Sequence, residues 1–172
     1  VKKRDNVKMV FIGSGGASFY LENETRKLHL EDKILFTGFV NWENLALYYS
    51  IGDIFVTTSL SEMHSMTALE ALISHLPIVC RKDESFTDTV FHGKNGYLAD
   101  TDEEMDDFIL DLIDHDEKRK AFAEESYKIS KNFSIKMHGL RTLEFYKAVL
   151  KRYPWPMTDK DLQKAVESVK ID

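Results

Sequence analysis

Short apolar runs recur along the chain, separated by stretches of helical period, and this alternation restricts the fold more than any other feature. Residues 7–12, 33–36, 53–56, 77–80 and 97–99 read as strands. Between them, residues 17–30, 41–50, 64–75 and 85–91 read as helices, the second capped by Asn41. Thr101 with Glu104 carries the signature of a capping box, and helices are expected over 106–113, 118–130 and 134–152. Pro154-Trp155-Pro156 ends the last of these, and 158–169 forms a weaker final helix. Strands that alternate with helices predict parallel βαβ units with right-handed crossovers. The expected fold class is therefore α/β, a doubly wound parallel sheet with extra C-terminal helices.

The length of 172 residues suits one domain over 1–152 and a partly helical tail over 153–172. The net charge of −6 argues against a nucleic-acid partner. Cys80 is the one cysteine, so no disulfide forms within the chain, and a reducing, cytoplasmic setting is expected. It lies in an apolar run, where a small buried hydrophobe is the expected role. No stretch approaches the roughly 20 apolar residues of a membrane span. The six histidines, at 29, 64, 75, 92, 115 and 138, are scattered, and no metal cluster is expected. The chain starts at Val1 and enters a strand almost at once, as a piece of a longer protein would.

In sheets of this kind ligands sit outside the carboxyl ends of the strands. That directs attention to the loops 13–16, 57–64 and 81–88. The most informative stretch is 59–72, Ser-Leu-Ser-Glu-Met-His-Ser-Met-Thr-Ala-Leu-Glu-Ala-Leu. It leaves the third strand and enters a helix near His64. The first-turn amides of a helix have no intrahelical acceptors and, with the helix dipole, favour an anion such as a diphosphate. Ser65 and Thr67 add hydroxyls. Glu62 lies just ahead of the helix, and Glu70 about two turns along it. Carboxylates accept from paired sugar hydroxyls, so two so placed suit two sugar rings flanking a diphosphate. The same serines and glutamate also fit ordinary capping, with Glu70 facing solvent.

The ordered set of motifs resembles one family. Glu62 and Glu70 have the E-x7-E spacing of retaining GT-B glycosyltransferases that use nucleotide sugars. Val10-Phe-Ile-Gly-Ser-Gly15 and Ile34-Leu-Phe-Thr-Gly-Phe-Val40 look like that family's strand-plus-glycine segments. Asp53–Val56, Leu69-Glu70-Ala71, Leu76-Pro77-Ile-Val79 and Gly93-Lys-Asn-Gly96 follow in the family's order. The resemblance covers about residues 7–146 and implies a Rossmann-like domain, the C-terminal donor-binding half of a GT-B enzyme. Residues 61–97 further resemble bacterial enzymes that glucosylate diacylglycerol.

The resemblance also implies roles. Glu62 is the catalytic-site candidate, holding the hydroxyls of the transferred sugar. Met63, His64, Ser65 and Met66 present backbone amides to sugar and diphosphate, Thr67 touches phosphate, and Glu70 holds the ribose. Phe39 and Val40 sit at the base, and Gly13 and Gly15 let the backbone pass close to the cleft. The donor is a nucleotide sugar, UDP-sugar favoured, with no further cofactor or metal. The partner is an acceptor-binding N-terminal domain absent from these residues, with peripheral contact to the inner face of the membrane in the full-length enzyme. The family's phosphate-binding Arg and Lys fall before Val7, so this piece alone is expected to be inactive.

Departures stand at Ser65 and His75, where the family usually has glycine, and at Arg81-Lys-Asp-Glu-Ser-Phe-Thr-Asp88, where it has a glycine-rich turn with Glu. Asp88 is expected in that Glu's structural place, and His75 at the helix end. Two other readings remain open on sequence grounds. One is a sugar-nucleotide epimerase of the same fold, and the other a non-catalytic glycosyltransferase-like module used for protein contacts.

Overall fold

A computed structural model describes residues 2, 4–152 and 158–168. The expected break at Pro154–Pro156 lies outside the described residues. In chain order the elements are β1 (Met9–Phe11), α1 (Ser18–Lys27), β2 (Ile34–Phe36), α2 (Trp42–Ser50), β3 (Phe55–Thr57), α3 (Met66–Ile73) and β4 (Ile78–Arg81). A 3-10 turn, Glu84–Phe86, precedes β5 (Gly96–Ala99) and α4 (Asp102–Asp114). Then come α5 (Asp116–Ser130), a second 3-10 turn (Lys131–Phe133), α6 (Ile135–Arg152) and α7 (Asp159–Ser168). The chain divides into two compact units, Val1–Ile51 and Gly52–Asp172.

The named strands pair in parallel, as the alternation requires, and Gly13 and Gly38 meet in an isolated antiparallel bridge. The parallel pairing is organised as two ladders, β1–β2 and β3–β4–β5. In the first unit Met9, Val10 and Phe11 pair with Ile34, Leu35 and Phe36, and the Phe11 and Phe36 rings stack with centroids 5.0 Å apart. In the second, Phe55 pairs with Ile78 and Ile78 with Gly96. Gly96 has to be glycine: a Cβ there would stand 2.0 Å from the Ile78 carbonyl oxygen.

The main core belongs to the second unit. Val79, Tyr97, Ala99, Met105, Leu112 and Phe122 form one buried cluster. Leu72, Ile78 and Phe86 are fully buried as well. Burying each such side chain contributes about 1.5–3 kcal/mol. The run Pro77–Cys80 is buried throughout, which is why it reads as unbroken hydrophobicity rather than alternation. Asn95, also fully buried, donates from Nδ2 to the Thr89 carbonyl at 3.0 Å and accepts at Oδ1 from the Phe91 amide at 2.8 Å. It fixes the turn that delivers β5 beside β4.

Capping sets the start of α4. The Glu104 amide donates to Thr101 Oγ1 at 3.1 Å, and Glu104 Oε2 accepts from the Asp100 amide at 2.8 Å. Asn41 does precede α2, but its side chain makes no capping bond. Residues 85–91 do not form the expected helix. Asp83 accepts from the Ser85 amide and tightens the segment into the short turn Glu84–Phe86.

Candidate functional site

The loop between β3 and α3 is built around the start of the helix. α3 begins at Met66, two residues later than the sequence suggests, because Ser65 is its cap. Ser65 is buried, its Oγ lies 3.4 Å from the Ala68 amide and 3.0 Å from Thr67 Oγ1, and its hydroxyl is thereby committed to the helix itself. Capping takes one of the first-turn amides and leaves those of Met66 and Thr67 without a protein acceptor. Both residues are exposed, so the mouth of the helix is open to solvent.

Glu62, Met63 and His64 are exposed ahead of this mouth. Glu62 Oε1 accepts from Ser59 Oγ at 3.1 Å, which holds the carboxylate on the loop. His64 Nδ1 lies 3.7 Å from Asp88 Oδ2, tying the β3–α3 loop to the segment after β4. Glu70 is half-buried in the second turn of α3. At the far end of the helix His75 takes φ +58°, the left-handed conformation that favours glycine at a helix end. Its ring stacks on Tyr127 with centroids 4.0 Å apart, so here a histidine both closes α3 and packs it on α5.

The segment after β4 completes this part of the second unit. Arg81 donates to Asp102 Oδ1 at 2.6 Å and to the Asp100 carbonyl at 2.7 Å, while Lys82 pairs with Asp100. Both cations are thus engaged in holding β4 to the start of α4. Hydrogen bonding from Ser85 lowers the Asp83 carboxyl below its ordinary range. Beside them the Cys80 thiol is pushed up to about 12, by burial first and by Asp83 second. It is therefore a packed hydrophobe and not a nucleophile. Glu62, Met63, Asp83, Glu84 and Ser85 line one groove of about 570 Å³. The sequence pointed to the loop 81–88 by its place after a strand's carboxyl end, but it gave Asp83 and Glu84 no role and read Ser85 as the start of a helix.

Gly13, Gly15, Phe39 and Val40 belong to the first unit. Gly13 adopts φ +115°, a conformation restricted to glycine, and its amide donates to the Gly38 carbonyl at 3.1 Å. Gly15 donates its amide to Ser18 Oγ at 3.0 Å. Thr37, Phe39, Val40, Asn44 and Tyr48 line part of a groove of about 440 Å³ between the end of β2 and α2. Phe39 is 79% exposed, an aromatic surface open to a planar ligand. Among the described residues there is no group of three or more His, Cys, Asp or Glu side chains placed to hold a metal ion.

Comparison with known proteins identifies the family. The chain is 29% identical over 149 residues to an alpha-monoglucosyldiacylglycerol synthase of Streptococcus pneumoniae, covering 85% of this chain and 33% of that protein. It is 34% identical over 104 residues to the alpha-monoglucosyldiacylglycerol synthase of Acholeplasma laidlawii, covering 60% and 26%. The chain thus spans about a third or less of the length of these relatives. Among solved structures, the pneumococcal O-GlcNAc transferase GtfA in complex with UDP and GlcNAc superposes with a TM-score of 0.70 at 25% identity, covering 84% of this chain and 29% of that one. Anabaena Alr3699/HepE in complex with UDP superposes with a TM-score of 0.75 at 22% identity, covering 86% and 43%, and shares the fold. The family model for glycosyl transferases group 1 matches residues 1–129, three quarters of the sequence, and the chain belongs to that family.

Proposed function

We propose that this chain binds a nucleoside-diphosphate sugar, UDP-sugar favoured, as the donor half of a retaining glycosyltransferase. The observation that carries the reading is the open mouth of α3, with Glu62 ahead of it and Glu70 in its second turn. The free amides of Met66 and Thr67 and the helix dipole hold the diphosphate. Glu62 accepts from hydroxyls of the transferred sugar and Glu70 from those of the ribose. In transfer, the helix amides stabilise the charge that develops on the departing nucleoside diphosphate. The reading needs no further cofactor. Support comes from family membership and from the solved relatives obtained with UDP.

In the same reading the acceptor is bound by sequence outside these residues, since the match covers 33% of the first relative and 26% of the second. The enzyme works on the cytoplasmic side, with peripheral membrane contact in its full-length form. Support for the contact is the name of the two relatives, alpha-monoglucosyldiacylglycerol synthase; no helix among the described residues is long and apolar enough to cross a membrane.

Ligand-observed NMR tests the reading. UDP is expected to bind and to perturb the amides of residues 64–67. Glu70→Ala should weaken UDP and UDP-glucose alike by about tenfold, the worth of a hydrogen bond to a charged group. Glu62→Ala should weaken only UDP-glucose. No perturbation by millimolar UDP would sink the proposal and favour a module for protein contacts.

A further inference from the structure

The turn that delivers β5 carries a chemical weak point that the fold conceals. Of the six asparagines, at 6, 23, 41, 44, 95 and 132, only Asn95 is followed by glycine. In an unstructured chain such a pair is labile, because no side chain shields the glycine nitrogen. The deprotonated Gly96 nitrogen attacks Asn95 Cγ, the bond from Cγ to Nδ2 breaks, and Nδ2 leaves as ammonia. Water then opens the resulting cyclic imide at either of its carbonyls. The products are aspartate and isoaspartate, the second with an extra carbon in the main chain. Asparagine and water give acid and ammonia, and no oxidant or reductant takes part.

The folded chain blocks this reaction. Asn95 has no exposed surface. Its Oδ1 accepts from the Phe91 amide at 2.8 Å, and its Nδ2 donates to the Thr89 carbonyl at 3.0 Å and lies 3.5 Å from Ser126 Oγ. The Ile78 amide donates to the Asn95 carbonyl at 3.1 Å. Cγ cannot swing towards the Gly96 nitrogen without giving up side-chain bonds in an interior closed to water.

We propose that Asn95–Gly96 is a one-way modification site, which converts only when the second unit opens and whose products keep that unit from closing again. Aspartate would set a carboxylate, which only accepts, against the Thr89 carbonyl oxygen, and would bury its charge there. Isoaspartate lengthens the main chain where no volume is spare, since even a Cβ on Gly96 would run into the Ile78 carbonyl. Its extra atom breaks the register in which Ile78 pairs with Gly96 and Val79 with Tyr97. Val79 and Tyr97 both belong to the buried core cluster, so the damage reaches the centre of the unit. Conversion of the folded protein therefore counts openings, at the free-chain rate multiplied by the fraction open.

The test follows this chain at mildly alkaline pH, in buffer and in guanidinium chloride, beside a synthetic peptide of residues 93–98. Mass spectrometry of the tryptic peptide that begins at Asn95 reads both products. The denatured chain is expected to convert within about twofold of the peptide's rate, and the folded chain at least about a hundredfold more slowly. After the denaturant is diluted, unconverted chains should regain their circular dichroism and thermal transition, and converted chains should not. Asn95→Asp, made genetically, should fail in the same way. Conversion of the folded chain within about tenfold of the peptide's rate overturns the protection. Recovery of the native transition by converted chains or by Asn95→Asp overturns the one-way character. Neither result touches the donor reading, which UDP binding decides.

Discussion

In the second unit Leu72, Ile78, Phe86 and Leu112 are wholly buried, while in the first Leu30 and Tyr49 are the buried hydrophobic residues, each 8% exposed. Exposed apolar side chains occur in both units: Phe19, Phe39, Trp42 and Ile51 in the first, and Met63 and Ile135 in the second, are all more than 70% exposed. The first unit is held by its short parallel ladder, its turn bonds and the Phe11–Phe36 stack, and the second by a filled core. A cooperative transition scales with buried apolar area, so the second unit is expected to dominate any global unfolding signal. The acidic helix mouth belongs to the well-packed unit, and the groove at Phe39 to the lightly packed one.

Four substitutions would break or sharpen this contrast. The largest effect is expected from Phe86→Ala, which empties a fully buried site in the second unit and should cost about 3–5 kcal/mol in urea denaturation. An equal cost from a first-unit aromatic would contradict the comparison. Gly13→Ala forces a side chain into φ +115° and should cost about 1–2 kcal/mol, read most clearly as faster hydrogen exchange at β1 and β2 with β4 unaffected. Thr101→Ala removes the cap of α4 and should cost about 1 kcal/mol by the same denaturation assay. Trp42→Ala, at a side chain 79% exposed, should stay within about 0.5 kcal/mol. A larger loss there would show that the exposed aromatics of the first unit are buried against something in solution.

Much of this was legible from residues alone, and the failures have physical causes. The run 77–80 announced β4 because a strand covered on both faces needs no polar alternation. The order of Glu62, Glu70 and the flanking apolar segments pointed to the helix mouth, and Thr101 caps the Glu104 amide as read, with the Glu104 carboxylate reaching back to the Asp100 amide. Periodicity identifies strands but not their partners, so the division into two ladders could not be read from it. The start of α3 was placed two residues early because a serine can be a helical residue or a cap, and only the Ser65–Ala68 contact decides. Residues 85–91 carry helix-compatible composition, but the Asp83 side chain competes for the backbone and closes a tighter turn. Asn95 read as a turn residue; its burial under α5 depends on Ser126, 31 positions away, which no local pattern reports.

The lone cysteine has a practical consequence. Cys80 is fully enclosed, and its thiol ionises only near pH 12, so maleimide reagents at neutral pH will pass it by. A reporter can therefore be attached through a second cysteine engineered on the Met63 loop or beside Phe39 without first removing the native one. Each of these two places can then be watched separately, by fluorescence or spin label, in an otherwise unaltered chain.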